Sequence, residues 1–532
     1  MKFDEVYDHV GHFGIYQFFI YILCGFFAMA HGYQVSAMIF LGYEQKHFCK
    51  VDALSNFSYG QQLNIAIPKE GNSYSQCRMY DLDWSEFDAV EYFSANQTFE
   101  VLDWKTKGCK EWNYIRTLFE STVVTQFDLV CDKSWYIQLA STTYMGGMLV
   151  SSFFSGMLSD RFGRLKTTVG GSVLHPIMAL AVTFSPNIQI FCLFRFFTGC
   201  FAYTAYLGGY VMITEMIGNK YRTYIAISYS SFFASGVIVY AAEAYFVRNH
   251  IYLQLVMALP VLATFAYFWV LPESARWLHA KGRSDEALKI LRRMAAVNRR
   301  TLPDDFQLDF EKTKQAHRSV IDLFRFSVFR KTTILNFFIW FSNSLIYFGI
   351  GLNVGSLVGN IYLNTVLTNL ADIPANTLAS VFAERFGRRK LLCAAFTIGG
   401  LCNLAVIPLV VTGELDWLLL TLTIMGKAAA SATLATTLLI TAELYPTEIR
   451  HVAIGSCSTC SRLAGMLAPY VGKPMQSIWM PLPSLIFGAF GIMSAFCVMM
   501  LRETLNRPMP DRVEDVINQY SSKSKEAQVD LI

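Results

Sequence analysis

The sequence predicts an all-α membrane protein: twelve transmembrane helices in two pseudo-symmetric six-helix halves, with a large extracellular loop between helices 1 and 2. Three observations carry this. The 532 residues are 53% hydrophobic and only 16% charged, with a mean hydropathy of +0.35, whereas a soluble domain carries about 25% charged residues. Runs such as "YIQLASTTYMGGMLVSSFFSGML" (136–158) and "IQIFCLFRFFTGCFAYTAYLGGYVMI" (188–213) exceed the roughly 20 residues that cross a bilayer, and they are apolar nearly all round rather than along one stripe. A charged motif directly after the first of these runs, "SDRFGRLK" (159–166), returns as "AERFGRRK" (383–390).

In chain order, spans are expected near 15–41, 136–158, 168–186, 188–213, 224–247 and 251–271. After a charged break they resume near 332–352, 360–382, 391–412, 416–441, 452–472 and 480–501. His31, Gly32 and Gln34 interrupt the first. The opening "MKFDEVYDHVGHFG" has no apolar core and no small-residue cleavage site, so no cleaved signal is expected. Orientation follows the basic residues. Arg161, Arg164 and Lys166 follow span two, Lys220 and Arg222 follow span four, and Arg385, Arg388, Arg389 and Lys390 follow span eight. Connections such as "NVGSLVGN" (353–360) and "TGELD" (412–416) carry little or no positive charge. Both termini are therefore expected in the cytosol, with the chain multi-pass in the plasma membrane. The net charge of +4 reflects this bias and gives no reason to expect nucleic-acid binding.

The chain divides into a cytosolic N-terminus with helix 1 (1–41), the outer loop (42–135), helices 2–6 (136–271), a cytosolic linker (272–331), helices 7–12 (332–501) and a cytosolic tail (502–532). The outer loop holds Cys49, Cys77, Cys109 and Cys131, an even set suited to two disulfides in an oxidising compartment. Four cysteines allow three pairings, and spacing does not choose among them. The loop also carries the glycosylation acceptors Asn56 ("NFS") and Asn96 ("NQT"). The linker, with "SDEALKILRRMAAVNRR", is expected to form short amphipathic helices.

The duplication extends beyond one motif. "EMIGNKYR" (215–222) matches "ELYPTEIR" (443–450), and "PESARWL" (272–278) has a fainter echo in "RETLN" (502–506). The offsets are 224, 228 and 230, so one six-span unit occurs twice in parallel, as in transporters built around a central site. A tight turn at Gly163, and at Gly387 in the copy, brings acids and arginines to helix ends. The residues are Gly156, Asp160, Arg161, Arg164, Glu215, Arg222, Glu273 and Arg276, with Glu384, Arg385, Arg388, Glu443 and Arg450 in the second half. They are expected to form interhelical charge latches that stabilise one of two conformations. The plainer alternative is a set of basic residues that only fixes topology.

These motifs, with the six-plus-six organisation, resemble the major facilitator superfamily. Within it the chain resembles the organic cation, anion and zwitterion transporter family along nearly its whole length. The resemblance rests on the cysteine-bearing loop, "PESARWL", "AELYPTEIR" and "SRLAGMLAP", and "GHFGIYQ" (11–17) and "ETLNRPMPD" (503–511) are most similar to its carnitine and ergothioneine branch. It implies a polyspecific carrier working by alternating access, with substrate held between the halves near the bilayer midplane.

Ionisable residues inside spans are functional candidates because each is costly there. Arg462 lies mid-way along span eleven. The resemblance places an arginine here in anion carriers and an aspartate in cation carriers, so Arg462 is expected to pair with a substrate carboxylate; the alternative is a pair with Asp372 or Glu243. Trp340, Asn343 and Tyr347 share one face of span seven, an aromatic face suited to an organic cation. Asp372 and Asn376 lie one turn apart. Tyr144, Tyr240, Tyr362, His31 and Gln34 are further candidates, while Lys427 and Arg195 are expected to tie helices together. Where the resemblance leads one to expect an acid in span ten there is Ala435, and where a lysine in span eight there is Asn376. One cation beside an aromatic face suits a zwitterion such as a quaternary amine with a carboxylate, with an organic anion as the alternative.

No Walker loop, paired-cysteine metal motif or nucleophile elbow occurs in the sequence. The chain is expected to be neither an enzyme nor an ATP-driven pump and to need no cofactor. Its partners are a small organic ion, the lipid bilayer, and a coupling ion or exchanged counter-substrate. A sugar porter would show a Gln-Gln pair and a Gly-rich start in span seven and would lack this loop. A receptor on the same scaffold would carry a longer tail.

Overall fold

A computed structural model describes residues 6–70, 73–82, 105–303, 320–357, 359–413 and 415–505. Its long helices are α1 (Ile15–Leu41), α2 (Trp135–Phe162), α3 (Arg164–Thr183), α4 (Ile188–Met216), α5 (Asn219–Phe246) and α6 (His250–Leu262). They continue with α7 (Ser327–Leu352), α8 in two pieces (Ile361–Leu370 and Asp372–Phe386), α9 (Arg388–Thr412), α10 (Asp416–Leu444), α11 (Thr447–Val471) and α12 (Leu482–Met499). Every expected span thus has a helix, several with ends shifted by a few residues, and two of them, α6 and α8, depart from a simple rod. α1 runs unbroken through His31, Gly32 and Gln34, all buried. α6 passes into a 3-10 turn at Ala263–Ala266 and a last helical turn, Tyr267–Val270. α8 breaks at Ala371, just before buried Asp372.

Among the described residues, nine of these helices are long and apolar enough to cross a membrane, α6 counted with its extension. The other three are α2, α8 and α11. They pack across the seam between the halves: α2 on α11, and α8 on α5. The bundle, these helices included, turns large apolar side chains outward, among them Phe153, Phe154, Phe184, Trp269, Ile334 and Leu363. Such a surface suits lipid rather than water.

Within the first half α1 packs on α4 and α5, and α4 on α2 and α3. Within the second half α7 packs on α10, α11 and α12, and α9 on α10 and α12. The loop between α1 and α2 contains three small antiparallel sheets: β1 (His47–Cys49) with β6 (Trp112–Tyr114), β2 (Lys69–Glu70) with β3 (Ser73–Tyr74), and β4 (Arg78–Tyr80) with β5 (Thr106–Gly108). Its disulfides join Cys49 to Cys109 and Cys77 to Cys131, over a small core of Phe48, Leu54, Leu63, Ile65 and Ile67. Asn56 is exposed; Asn96 lies outside the described residues.

The linker forms helices Ala275–Ala280, Ser284–Val297 and Val320–Arg325. The first two dock on the first half, where the Asn298 side chain bonds the Val10 carbonyl, the Gln17 amide oxygen and the Tyr16 N–H. Val320–Arg325 belongs to the second half, with Leu323 packed beside Tyr445 and Ile449. Linker residues 304–319 and tail residues 506–532 lie outside the described set.

Candidate functional site

The charged motifs build two matching corners. In the first half, α2 ends at Gly163, whose φ of +103° favours glycine; a Cβ there would lie 2.3 Å from Glu273 Oε2. That carboxylate occupies the start of α3 as a cap supplied from a distant segment. Its Oε1 accepts from the N–H groups of Arg164 (2.8 Å), Leu165 (3.1 Å) and Ser274 (2.9 Å), where a helix N-terminus favours negative charge. Arg164 then turns its guanidinium to Asp160 (2.5 Å) and to Glu215 at the end of α4 (3.0 Å). The second half repeats this. Gly387 has φ +99°, Glu503 Oε1 accepts from the N–H of Arg388 (3.0 Å) and Thr504 (3.0 Å), and Arg388 reaches Glu443 (3.2 Å).

The two caps differ electrostatically. Burial pushes the Glu273 carboxyl above the usual glutamate value, against the pull of its backbone N–H partners and Arg164. Burial acts the same way on Glu503, but its backbone N–H groups outweigh it and hold that carboxyl below the usual value. Arg222 Nη2 and Arg450 Nε each donate to the carbonyl five residues earlier, of Ile217 and Tyr445, at 3.3 Å. Arg161 and Arg385 lie exposed against the Phe162 and Phe386 rings. Gly156 faces open space and Arg276 is half-buried on the helix Ala275–Ala280. In this conformation Arg164 and Arg388 clamp helices of their own halves. Glu384 reaches across, accepting from Tyr224 of α5 at 2.8 Å.

At the opposite, loop-bearing end the seam is shut. Tyr362 of α8 stacks on Phe40 of α1 (5.5 Å, 12° between planes) and meets Tyr245 of α5 edge-on. Lys473 pairs with Glu44 at 3.2 Å, and Thr142 of α2 donates to the Met466 carbonyl of α11.

Between the two ends, Arg462 of α11 donates from Nη2 to the Tyr203 hydroxyl of α4 at 2.7 Å. Its guanidinium carbon lies 4.5 Å from the centre of that ring. Its Nε is buried without a hydrogen-bond partner among the described residues. It pairs with neither Asp372 nor Glu243. Facing it, the His31 ring is enclosed by Tyr144, Tyr203, Tyr206 and Phe233 at centroid distances of 5.0–6.1 Å. The His31 Nδ1 and Tyr144 hydroxyl are 3.0 Å apart.

The span-seven face forms as expected and lies against α10. Trp340 Nε1 donates to Thr441, and Asn343 Oδ1 accepts from Thr433, both at 3.0 Å. Tyr347 donates to Asp372 Oδ2 at 3.2 Å, and Lys427 reaches the same oxygen at 3.4 Å and Asn369 at 2.8 Å. Asn376 accepts from Ser431. Asp372 is thereby neutralised inside its own half. Arg195, buried beside the Tyr144 ring, donates to the backbone and side-chain oxygens of Gln34, which turns that candidate toward a helix tie. Tyr240 likewise ties α5 to the Ala37 carbonyl of α1. Tyr203, Tyr206 and Phe233 are absent from the sequence-based candidates, although "AYTAYLGGY" puts tyrosines three and four apart on one face of α4.

This geometry, two clamped halves around a polar seam, defines a membrane transporter class. The family model described as "Sugar (and other) transporter" matches residues 79–511. The chain is 32% identical to the organic cation transporter protein of Drosophila melanogaster, over 97% of this chain and 94% of the relative. It is 30% identical to solute carrier family 22 member 1 of Oryctolagus cuniculus (99% and 98%) and 29% identical to member 2 of Homo sapiens (99% and 97%). An inward-open structure of the E. coli xylose transporter XylE shares the fold, with TM-score 0.62 and 13% identity over 93% of this chain and 98% of that one. The chain belongs to this transporter family of the major facilitator superfamily and, within it, to the group of solute carrier family 22 and the organic cation transporters. It is a multi-pass membrane transporter, not an enzyme.

Proposed function

We propose that the protein carries small organic ions across the plasma membrane by alternating opening of its two ends, with zwitterions of the carnitine type, an organic ammonium joined to a carboxylate, as its first substrate class. The observation that supports this reading is the Arg462–Tyr203 contact. A guanidinium with no acid partner among the described residues sits on the seam, within reach of an aromatic cluster. A carboxylate is a stronger partner for it than a phenol, so substrate entry would exchange a contact between the halves for a contact with substrate. The rings of Tyr144, Tyr203 and Tyr206, with Trp340 and Tyr347 on the other half, offer faces to the ammonium end. Asn343, Asp372 and Asn376 complete the wall. The relatives named as organic cation transporters support a cationic group in the substrate. An anion alone is the second reading, favoured by the uncompensated charge of Arg462.

Both termini and the corner motifs lie in the cytosol in this reading. The disulfide-bearing loop, glycosylated at Asn56 and Asn96, lies outside. The conformation with the loop end shut then faces inward, and the corner clamps keep each half rigid while the seam rearranges. Uptake of labelled tetraethylammonium, L-carnitine and p-aminohippurate by cells expressing the chain tests the assignment. Carnitine uptake well above both others is expected; uptake of p-aminohippurate alone would transfer the assignment to anions.

A further inference from the structure

The loop-bearing end holds a cavity of about 330 Å³ whose lining comes from the first half alone. One wall is the loop segment 116–121, and the other is the connection between α5 and α6 at Arg248 and Asn249. Small-molecule sites occupy about 300–1,000 Å³, so this one admits a small ligand. Its walls are sewn together. The Glu120 N–H donates to the Arg248 carbonyl at 3.1 Å, and a parallel backbone bridge joins Ser121 to Asn249. The Ser121 hydroxyl lies 2.9 Å from His250 Nδ1, and His250 Nε2 lies 2.7 Å from Gln126 Oε1.

The charge on this lining is unbalanced. Arg116 and Arg248 are exposed, and neither forms an ion pair among the described residues. Glu120 shares the cavity and pairs with neither of them. Two guanidiniums against one carboxylate leave one positive charge over, beside the apolar surface of Leu118 and Phe119. That combination suits a ligand with one carboxylate and an apolar body, since a guanidinium fork matches a carboxylate. The cavity also adjoins the closure. Phe119 packs on Phe40, Tyr43 and Tyr362 at centroid distances of 5.3–6.4 Å. Arg248 acts electrostatically on Tyr362, whose hydroxyl is buried with no hydrogen-bond partner among the described residues.

We propose that this cavity is a binding site for a small organic monocarboxylate, separate from the seam, and that an occupant bridging Arg116 and Arg248 favours the shut loop end. The bridge ties Phe119, and through it the Phe40–Tyr362 stack, to the start of α6. A ligand that binds the shut form more tightly shifts the equilibrium toward it. The proposal rests on the closure of this end and not on which organic ion is carried.

The test uses benzoate and full-length Arg462→Gln protein, which removes the seam arginine as a competing site and so separates the result from the substrate assignment. Nanodiscs of phosphatidylcholine supply no lipid carboxylate. Calorimetric titration is expected to show benzoate binding to this parent. Adding Arg116→Gln and Arg248→Gln, both at exposed positions, is expected to weaken it at least about tenfold. Arg116→Lys with Arg248→Lys is expected to bind more tightly than the glutamine pair. Spin labels at Phe184 and Ile478, exposed at the loop-bearing end, read closure. Saturating benzoate is expected to raise the closed-to-open ratio about fivefold in the parent and not in the glutamine pair. No binding to the parent, equal binding by the glutamine pair, or an unchanged ratio overturns the proposal. So does inorganic phosphate that binds as tightly as benzoate, because the site would then select charge and not an organic carboxylate.

Discussion

Arg462 and Tyr203 hold the two halves together through one hydrogen bond of 2.7 Å at the centre of the molecule. In the proposed function the phenol is a stand-in partner that a substrate carboxylate displaces. Tyr203→Phe keeps the ring and removes the competing hydroxyl. It is expected to tighten binding of carboxylate substrates, by up to about tenfold if the lost bond is worth ~1.4 kcal/mol. Isothermal binding to the purified variant reads this directly; weaker carboxylate binding would argue against displacement.

Asp372 and Lys427 are a buried ion pair, each almost fully sheltered. Asp372→Asn leaves Lys427 uncompensated and is expected to destabilise the protein by about 3–5 kcal/mol. The double variant Asp372→Asn, Lys427→Met is expected to recover most of that loss. Thermal unfolding of the three proteins tests the pair. Uptake by the stable double variant then shows whether Asp372 also touches substrate: normal uptake makes it a helix tie.

Gly163 and Gly387 occupy equivalent turns with φ near +100°, each beside the glutamate that caps the next helix. Alanine at either position strains the turn and pushes its Cβ toward that carboxylate. Each substitution is expected to cost about 1–3 kcal/mol, visible as a lowered unfolding temperature. Alanine at Gly156, which faces open space, is expected to leave that temperature nearly unchanged.

The two caps are expected to respond to pH in opposite senses. Glu503 has a depressed folded value, so its stabilisation is full above the ordinary glutamate value of 4.5 and is lost as pH falls through the folded value. Glu273 has a raised folded value, so the folded state holds its proton more tightly than the unfolded chain. Its contribution grows as pH falls through that raised value and is smallest above it. In melts across pH, Glu503→Gln should blunt the acid-side loss of stability and Glu273→Gln should not.

The helices were legible because hydrophobic runs of bilayer length leave few alternatives, and the duplication was legible because acids and arginines recur at matching offsets. The faint echo at "RETLN" proved informative: Glu503 occupies the position of Glu273. The break in α8 and the 3-10 turn in α6 had a sequence signal that the span pattern passed over: Pro374 lies three residues past Ala371 and Pro260 three before Ala263, and each removes a backbone donor from its helix. Arg462 was legible as a charge too deep for its surroundings. Its partner was not, since Tyr203 is one of 27 tyrosines and only the meeting of α4 with α11 distinguishes it. The same holds for Asp372 and Lys427, which pair across 55 residues, and for Gln34, whose oxygens are taken by Arg195. Side chains in a membrane interior acquire their roles from the helix opposite, which periodicity does not reveal.

The most direct test of the account compares binding of L-carnitine and tetraethylammonium to purified wild type and Arg462→Gln. If Arg462 receives the substrate carboxylate across the seam, the variant loses carnitine binding by at least about tenfold, the scale of one charge-assisted bond, while tetraethylammonium binding is retained. Unchanged carnitine affinity in a folded variant would contradict the central claim.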